Sequence, residues 1–338
     1  MITSIHYKNF KALHDCTLPL GRFTLIVGPN GSGKSTAMQA LKVAGEPTKT
    51  FWDEIVSVDN SNEPINISIT NESDATLYVI WREGKDSKGF FEFAENGKHK
   101  ERVVKTLEFY HEPMLEQLKS FRLFNFEAKQ IAKPVSILKS IELEQDGLNL
   151  TGVLDDLRDR NYKRFEELNK ELHSWLPEFE RISFDKPSDG VKSLMLDTTI
   201  GSHQIKAEDI SHGTLLALAY LTVAYLPNPP KIICFEEPER GIHPRLLRDI
   251  RDAMYRLAYP EQFGENREPV QVIATTHSPY LLDLYKDHPE EIVIANKDEN
   301  GVHFERLSDK PHYEEFLQDI PLGEVWYSGV LGGIPAQR

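Results

Sequence analysis

Cysteine is scarce in this chain, because Cys16 and Cys234 are the only two among 338 residues and no Cys-x-x-Cys pair occurs. Two cysteines so far apart in sequence provide neither a disulfide framework nor a zinc-binding pattern. This composition argues against a disulfide-rich secreted protein and fits a reducing cytoplasm best.

Long hydrophobic runs are lacking as well. The longest apolar stretch, residues 215–226, contains Thr222 and falls short of the roughly 20 residues that a membrane-spanning helix needs. The first residues, MITSIHYKNFKAL, contain neither the apolar run nor the small-residue cleavage site of a signal peptide. We therefore expect a cytoplasmic protein without a membrane partner, and a buried helix at 215–226.

Positive charge is in short supply, since 39 basic residues against 53 acidic ones give a formal net charge of -14. Such a surface repels nucleic acid on average, so we expect nucleic-acid binding to be weak, although a local basic patch is compatible with this charge. The hydrophobic content of 40% is sufficient for the core of one large α/β domain or two smaller ones.

Local patterns predict a mixed α/β fold. Residues 23–27 form an apolar strand that stops at a glycine, and residues 34–44 have the composition of a helix. Alternation with period two over 64–110 predicts an antiparallel β layer, and apolar positions three to four apart predict one amphipathic helix at 154–176. Strands and helices then alternate, which predicts a mostly parallel sheet. The predicted elements of that part are 231–235, 244–258, 270–275, 279–284 and 292–295, with a flexible surface loop at 259–269.

The segment GPNGSGKST at residues 28–36 matches G-x-x-x-x-G-K-[ST] and lies between a predicted strand and a predicted helix, the context that this motif requires. Gly31 and Gly33 let backbone N–H groups close around a phosphate. Lys34 places a positive charge between the β- and γ-phosphates, and the Ser35 hydroxyl is a candidate magnesium ligand. A plain glycine turn would not explain Lys34 and Ser35. The other candidate nucleotide-binding residues of the motif are Asn30, Ser32 and Thr36.

Two carboxylates follow the apolar strand predicted at 231–235. A buried strand delivers such groups to the carboxyl edge of the sheet, where the phosphate loop also lies. Glu236 is then a second candidate magnesium ligand, and Glu237 a candidate base that orients and deprotonates the attacking water. The alternative is a solvated acidic turn. The expected cofactors are ATP and Mg²⁺.

A histidine follows the next predicted strand. His277 at that edge could hydrogen-bond the γ-phosphate or the attacking water, although a lone histidine there would more often be structural. Ahead of the apolar helix, Ser211 or Thr214 could simply cap the helix. The functional alternative is a second anion site made by Ser211 and Gly213, acting on a nucleotide that another protomer holds.

Together these segments resemble the ABC-type ATPases, within them the RecF, SMC and OLD-like branch, over nearly the whole chain. YKNFK at 7–11 resembles the amino-terminal strand of that branch, and GPNGSGKST at 28–36 resembles its Walker A motif. ISHGT at 210–214 resembles a degenerate form of its signature motif, CFEEPERGIHP at 234–244 its Walker B motif with D-loop, and ATTHSP at 274–279 the segment with its switch histidine. The resemblance implies a P-loop NTPase fold of ABC-ATPase type, with a mostly parallel sheet core, an antiparallel β layer and a small helical subdomain. We expect one domain over 1–338, made of a Walker A lobe at 1–150, a helical subdomain at 151–185 and a lobe at 186–338 with signature, Walker B and switch histidine.

The resemblance further implies an ATPase that forms a homodimer by sandwiching two ATP molecules head to tail. Ser211 and Gly213 of one subunit would face the γ-phosphate bound by Lys34 of the other, and hydrolysis to ADP and phosphate would release the pair. Gln130 stands where a Q-loop glutamine could fall. Glu236 departs from the family pattern, which has an aspartate there. The signature segment also departs from it, at positions 212 and 214.

Two observations shape the expected role. The helix at 154–176 is too short for the long arms of SMC-like tethers. The residues after His277 contain no Asp-x-Asp, so no nuclease site is expected in this chain. We therefore expect a regulatory ATPase that controls a separately encoded effector, for example a nuclease, in prokaryotic antiviral defence or DNA maintenance. The alternatives are the nucleotide-binding subunit of a transporter and a RecF-like DNA-binding repair ATPase. The tail at 322–333 could pack as structure or dock a partner.

Overall fold

The computed structural model describes residues 1–45, 63–82, 90–95, 113–136, 142–299, 301–314 and 320–331. Two compact units are present. Residues 1–123, 230–236 and 269–338 form the first, and residues 124–229 and 237–268 form the second.

The described strands follow the chain in this order: β1 Ile2–Phe10, β2 Leu13–Pro19, β3 Phe23–Val27, β4 Ile65–Asn71, β5 Thr76–Arg82, β6 Phe90–Glu95, β7 Phe121–Phe124, β8 Val135–Ser136, β9 Phe179–Ser188, β10 Val191–Thr198, β11 Gln204–Lys206, β12 Ile232–Glu236, β13 Gln271–Thr276, β14 Ile292–Asp298 and β15 Gly301–Arg306.

The described α-helices are α1 Lys34–Gly45, α2 Pro113–Lys119, α3 Ala128–Ile131, α4 Leu150–Arg160, α5 Tyr162–Trp175, α6 His212–Ala224, α7 Leu247–Ala258, α8 Pro279–Asp283 and α9 Leu322–Tyr327. Among the described helices, none has the length and apolar character needed to cross a membrane.

A six-stranded sheet in the order β15-β14-β3-β13-β12-β7 forms the centre of the first unit. Strand β3 pairs in parallel with β13 and β14, and β12 pairs in parallel with β13. All residues of β3 and β13 are buried, as expected for parallel strands that are covered on both faces. The mostly parallel α/β core predicted from the sequence is confirmed.

An antiparallel sheet in the order β2-β1-β4-β5-β6 completes the first unit. Its buried face comes from period-two alternation, because cross-strand pairs such as Ile67 with Val79 and Ile65 with Trp81 are fully buried. The predicted antiparallel layer is therefore confirmed for the described part of 64–110. Residues 83–89 and 96–110 of that prediction lie outside the described residues.

The second unit contains a small sheet in which β10 pairs with β8, β9 and β11, together with helices α3 to α7. Helix α6 is buried from Thr214 to Ala224, so the predicted buried helix is confirmed, beginning three residues earlier at His212. The β9–β10 hairpin was not predicted from the sequence.

The single helix predicted at 154–176 is wrong, because two helices, α4 and α5, occupy this segment. The break falls at Asn161, whose backbone angles of φ -136° and ψ 53° are not helical. Asparagine favours such breaks, because its short polar side chain competes for backbone hydrogen bonds. Tertiary contacts hold the two parts separately: buried Asp155 of α4 pairs with Lys192 of β10 and with Arg158 at 2.7 Å, whereas α5 buries its own apolar residues.

The segment predicted as a flexible surface loop, 259–269, is anchored by ion pairs. Glu265 contacts Arg164 at 3.3 Å and Arg267 at 2.5 Å, and it also accepts a hydrogen bond from Arg256. Burial would raise the pKa of Glu265, but hydrogen bonds from Arg267 and Arg256 outweigh burial and lower it. The segment is therefore fixed to α5 and α7 of the second unit.

Candidate nucleotide-binding site

The loop between β3 and α1 has the backbone that its glycines predict. Gly31 and Gly33 adopt left-handed angles, with φ of 81° and 86°, which glycine reaches without steric cost. A β-carbon on Gly31 would meet nothing within 4 Å, whereas one on Gly33 would lie 2.9 Å from Leu13 Cδ2. A β-carbon on Gly28 would lie 2.5 Å from the carbonyl oxygen of Ala295. The loop is thus closely packed at Gly28 and Gly33, whereas the space where a side chain of residue 31 would lie is open.

Lys34 is held inside this loop. Its side chain is 6% exposed, and Nζ donates hydrogen bonds to the carbonyl oxygens of Gly28 at 2.7 Å and Pro29 at 2.9 Å. Ser32 Oγ is buried and has no hydrogen-bond partner among the described residues. Because buried polar atoms are normally paired, a phosphate oxygen is a suitable partner for this hydroxyl. Asn30 and Ser35 are exposed, and Thr36 is half-buried.

The register of three parallel strands brings the other candidate residues to the edge where this loop begins. Thr276 of β13 lies opposite Val27 of β3, and Thr275 lies opposite Glu236 of β12. The carboxyl ends of β3, β13 and β12 therefore coincide within one residue. The phosphate loop, His277 and Glu236 all emerge from this edge of the first unit.

The two carboxylates at the end of β12 differ in conformation. Glu236 ends the strand and is half-buried, whereas Glu237 has φ of 45°, in the left-handed region. A positive φ is uncommon for residues other than glycine and costs about 1 kcal/mol or more, so such residues cluster at functional sites. The backbone outlier thus coincides with the residue that the sequence indicates as the base.

Ser211 caps the start of α6 in the second unit, as one of the two interpretations of this segment predicts. Ser211 Oγ accepts a hydrogen bond from Thr214 N at 3.1 Å and lies 2.8 Å from Thr214 Oγ1. Ser211 and His212 are nevertheless exposed. Gly213 packs on the turn that follows Glu237, because its added β-carbon would lie 3.0 Å from the Gly241 carbonyl oxygen.

Gln130 lies in the short helix α3 of the second unit, and its side chain is half-buried. Its Oε1 accepts a hydrogen bond from Lys133 Nζ at 2.6 Å. In this structure the glutamine side chain is therefore engaged by a neighbour on the next turn of the chain.

Comparison with known proteins identifies the family of this site. Residues 23–283 match the family described as "AAA domain, putative AbiEii toxin, Type IV TA system". The chain belongs to this family. The match begins at the first residue of β3 and ends at the last residue of α8, so it contains the phosphate loop, Glu236, Glu237 and His277.

Individual relatives of this AAA-domain chain agree with the branch that its motifs resemble. It is 24% identical to the OLD nuclease of Thermus scotoductus over 369 residues, which cover 96% of this chain and 68% of the relative. It is 21% identical to the Old nuclease of Escherichia phage P2 over 364 residues, covering 89% and 60%. A 93-residue stretch is 33% identical to Structural maintenance of chromosomes protein 1 of Caenorhabditis elegans, covering 27% and 7%. The predicted resemblance to the OLD, RecF and SMC branch is confirmed.

Two buried groups of this AAA domain have raised pKa values. Burial raises the pKa of the Cys234 thiol on β12 well above its usual value, and the nearby Glu236 carboxylate raises it further. Burial likewise raises the pKa of Tyr220 on α6, where Glu239 adds to the increase. Burial therefore disfavours the ionised forms of Cys234 and Tyr220.

Metal binding by this AAA domain would use few protein ligands. Within the described part of the chain, no group of three or more His, Cys, Asp or Glu residues is placed to hold a metal ion. Mg²⁺ needs no such group when a nucleotide is present, because it is commonly bound by one or two protein oxygens together with phosphates and water. The exposed Ser35 hydroxyl and the half-buried Glu236 carboxylate fit that chemistry.

The residues that pack against the phosphate loop were not predicted from the sequence. The side chains of Leu13 and Val302 lie close to where a β-carbon on Gly33 would be, and Ala295 lies close to Gly28. The apolar character of these residues indicates only burial. Their proximity to the loop arises from sheet pairing across most of the chain, so no local pattern in the sequence could have indicated it.

Proposed function

We propose that this chain is an ATPase that binds ATP with Mg²⁺ and cleaves it to ADP and phosphate. The observation that supports this proposal most directly is the register of β3, β13 and β12, which brings the phosphate loop, His277 and Glu236 to one edge of a parallel sheet. Ligands of open α/β sheets bind outside the carboxyl ends of the strands, which is where these residues lie.

The loop residues would hold the phosphates. Gly31 and Gly33 have no side chains that would block an anion from the backbone N–H groups of the loop, and the first turn of α1 adds its partial positive charge. Lys34 would exchange its bonds to loop carbonyls for bonds to the β- and γ-phosphates. Asn30, Ser32 and Thr36 complete this cradle.

Ser35 and Glu236 would hold Mg²⁺, which neutralises charge that develops on the phosphates. Glu237 would accept a proton from water while the water oxygen bonds to the γ-phosphorus and the bond from that phosphorus to the bridging oxygen breaks. His277 would donate a hydrogen bond to the γ-phosphate or orient the same water. ADP is the leaving group.

A second subunit would complete the site. We propose that Ser211 and Gly213 of one subunit face the γ-phosphate held by Lys34 of the other, in a two-fold head-to-tail homodimer. The exposed serine at the start of α6, a helix of 13 residues, supports this arrangement. Gln130, the candidate Q-loop glutamine, belongs to the same proposal as a nucleotide-binding residue.

The purpose that we propose is control of a separately encoded effector, for example a nuclease, in prokaryotic antiviral defence or DNA maintenance. The family description and the OLD nuclease relatives support this setting. The chain spans 68% and 60% of those two relatives' lengths, so their activity is not transferred whole to this chain. A cytoplasmic location and lobes at 1–150, 151–185 and 186–338 belong to the same proposal.

The test uses Glu237→Gln, which retains the shape of the candidate base but cannot take a proton. With ATP and Mg²⁺, multi-angle light scattering should give twice the chain mass of 38.7 kDa, and without nucleotide the chain mass. Affinity purification of the ATP-loaded variant from its native host should recover the effector. A mass that never changes with ATP would contradict the dimer, and repeated recovery of this chain alone would contradict the effector.

A further inference from the structure

His277 lies on a short turn between two fixed elements of the first unit. Strand β13 ends at Thr276, and helix α8 begins two residues after the histidine at Pro279. Ser278 N donates to Thr276 Oγ1 at 3.0 Å, and Ser278 Oγ accepts from Leu281 N at 3.4 Å. The turn that carries His277 is therefore held by β13 on one side and by α8 on the other.

One residue of α9 contacts both ends of α8. Gly323 N donates a hydrogen bond of 2.7 Å to Asp283 Oδ1, at the last residue of α8. A β-carbon on Gly323 would lie 2.5 Å from the carbonyl oxygen and 2.7 Å from Cβ of Pro279, at the first residue of α8. Only glycine allows this approach of the two helices.

Helix α9 is itself fixed in the core of the first unit. Leu322, Val325 and Trp326 are buried, and Leu331 after the helix is 2% exposed. Close-packed elements transmit a displacement to their neighbours because they cannot be compressed. The family match ends at Asp283, so α9 lies beyond it and meets its last matched residue.

We propose that Gly323 and Asp283 are positioning residues for His277, so that the seating of α9 on α8 controls the rate of ATP cleavage. The proposal rests on the proposed role of His277 at the γ-phosphate. A shift of about 1 Å in a reacting group can reduce a rate by on the order of 100-fold. Neither Gly323 nor Asp283 belongs to the phosphate loop at 28–36, so we expect this contact to affect cleavage with little change in ATP affinity.

The test is Gly323→Ala, which forces α9 away from Pro279. Its kcat at saturating ATP should fall by about 10- to 100-fold, with the Kd for ATP changed by less than about twofold. Glu324→Ala is the matched control, because Glu324 is exposed on the same helix. The control should retain the parent kcat.

A double-mutant cycle with His277→Ala separates positioning from general structural damage. If Gly323 acts through the histidine, Gly323→Ala should lower kcat no further in the His277→Ala background. Equal losses in both backgrounds would overturn the proposal. If Gly323→Ala does not fold, Asp283→Ala removes only the hydrogen-bond acceptor and carries the same cycle.

Two outcomes distinguish the proposed role of His277 from the positioning role of Gly323 and Asp283. If His277→Ala cleaves ATP at the parent rate, the proposed role of His277 is wrong and the positioning role ends with it. If His277→Ala is impaired while Gly323→Ala and Asp283→Ala retain the parent kcat, the positioning role alone is wrong.

Discussion

The carbonyl oxygen of Gly241 lies 3.0 Å from the place that a β-carbon on Gly213 would occupy. Gly213 is in the first turn of α6, and Gly241 is in the turn that follows Glu237, so two motif segments of the second unit touch through their backbones. Gly213 is not among the residues with positive φ. An alanine there would meet no backbone strain, and its effect would come from the added methyl group alone.

Gly213→Ala should weaken ATP-dependent dimerisation while leaving the fold intact. The methyl group would crowd the Gly241 carbonyl and cover backbone N–H groups that the proposed dimer aims at the partner's γ-phosphate. We expect a loss of about tenfold in dimer affinity, or ~1.4 kcal/mol, by analytical ultracentrifugation with ATP. The unfolding midpoint should change little, since alanine is the better helix former.

His212→Ala is the matched control for that experiment, because His212 is exposed beside Gly213. It should dimerise like the parent. Unchanged dimerisation of Gly213→Ala would argue that the start of α6 does not face the nucleotide of a partner.

The two left-handed glycines of the phosphate loop should respond differently to alanine. Gly31→Ala should cost about 1–2 kcal/mol of unfolding free energy from backbone strain alone, since nothing lies within 4 Å of the new methyl group. Gly33→Ala should cost more, because its methyl group would also lie 2.9 Å from Leu13 and 3.0 Å from Val302. Urea denaturation without nucleotide measures both. Equal costs would contradict the packing described beneath the loop.

Glu265→Gln should destabilise the second unit by about 2–4 kcal/mol in urea denaturation at pH 7, because it removes the charge that three arginines share. The folded-state pKa of Glu265 is lowered, so its stabilisation is complete above the unfolded-state pKa. As the pH falls below about 4.3 and then through the folded-state pKa, the carboxylate is protonated and the stabilisation is lost. The difference between parent and variant should shrink over that acidic range.

Glu268→Gln is the control for this series, since Glu268 is exposed three residues away. Its effect should stay within about 0.5 kcal/mol at every pH. A Glu265→Gln variant as stable as the parent at pH 7 would show that the ion pairs do not anchor the segment.

Features that depend on neighbouring residues were predictable from the sequence. The phosphate loop is nine consecutive residues whose glycines, lysine and serine each have a chemical reason. The positions of Glu236 and His277 at the sheet edge were predictable, because Glu236 ends one buried strand, His277 directly follows another, and parallel strands share one edge. The capping of α6 by Ser211 follows from the same local logic.

Features that depend on distant residues were not predictable. The break at Asn161 interrupts a continuous helical pattern of apolar residues. The position of α4 depends in addition on the buried ion pair between Asp155 and Lys192, which the periodicity does not indicate. Glu265 looks like a loop residue until the fold brings Arg164 to it across 101 positions. Local patterns reveal which residues are buried or charged, and only the assembled sheet reveals which of them meet.

The measurement that tests the account most directly is equilibrium binding of ATP with Mg²⁺ to Lys34→Ala. Lys34 is buried in the loop and Lys42 is exposed on the same helix, so Lys42→Ala is a matched control for charge and helix content. We predict that Lys34→Ala weakens binding by at least about 100-fold, or ~2.7 kcal/mol, while Lys42→Ala binds like the parent. Binding and cleavage of ATP by Lys34→Ala at the parent level would contradict the proposed nucleotide site.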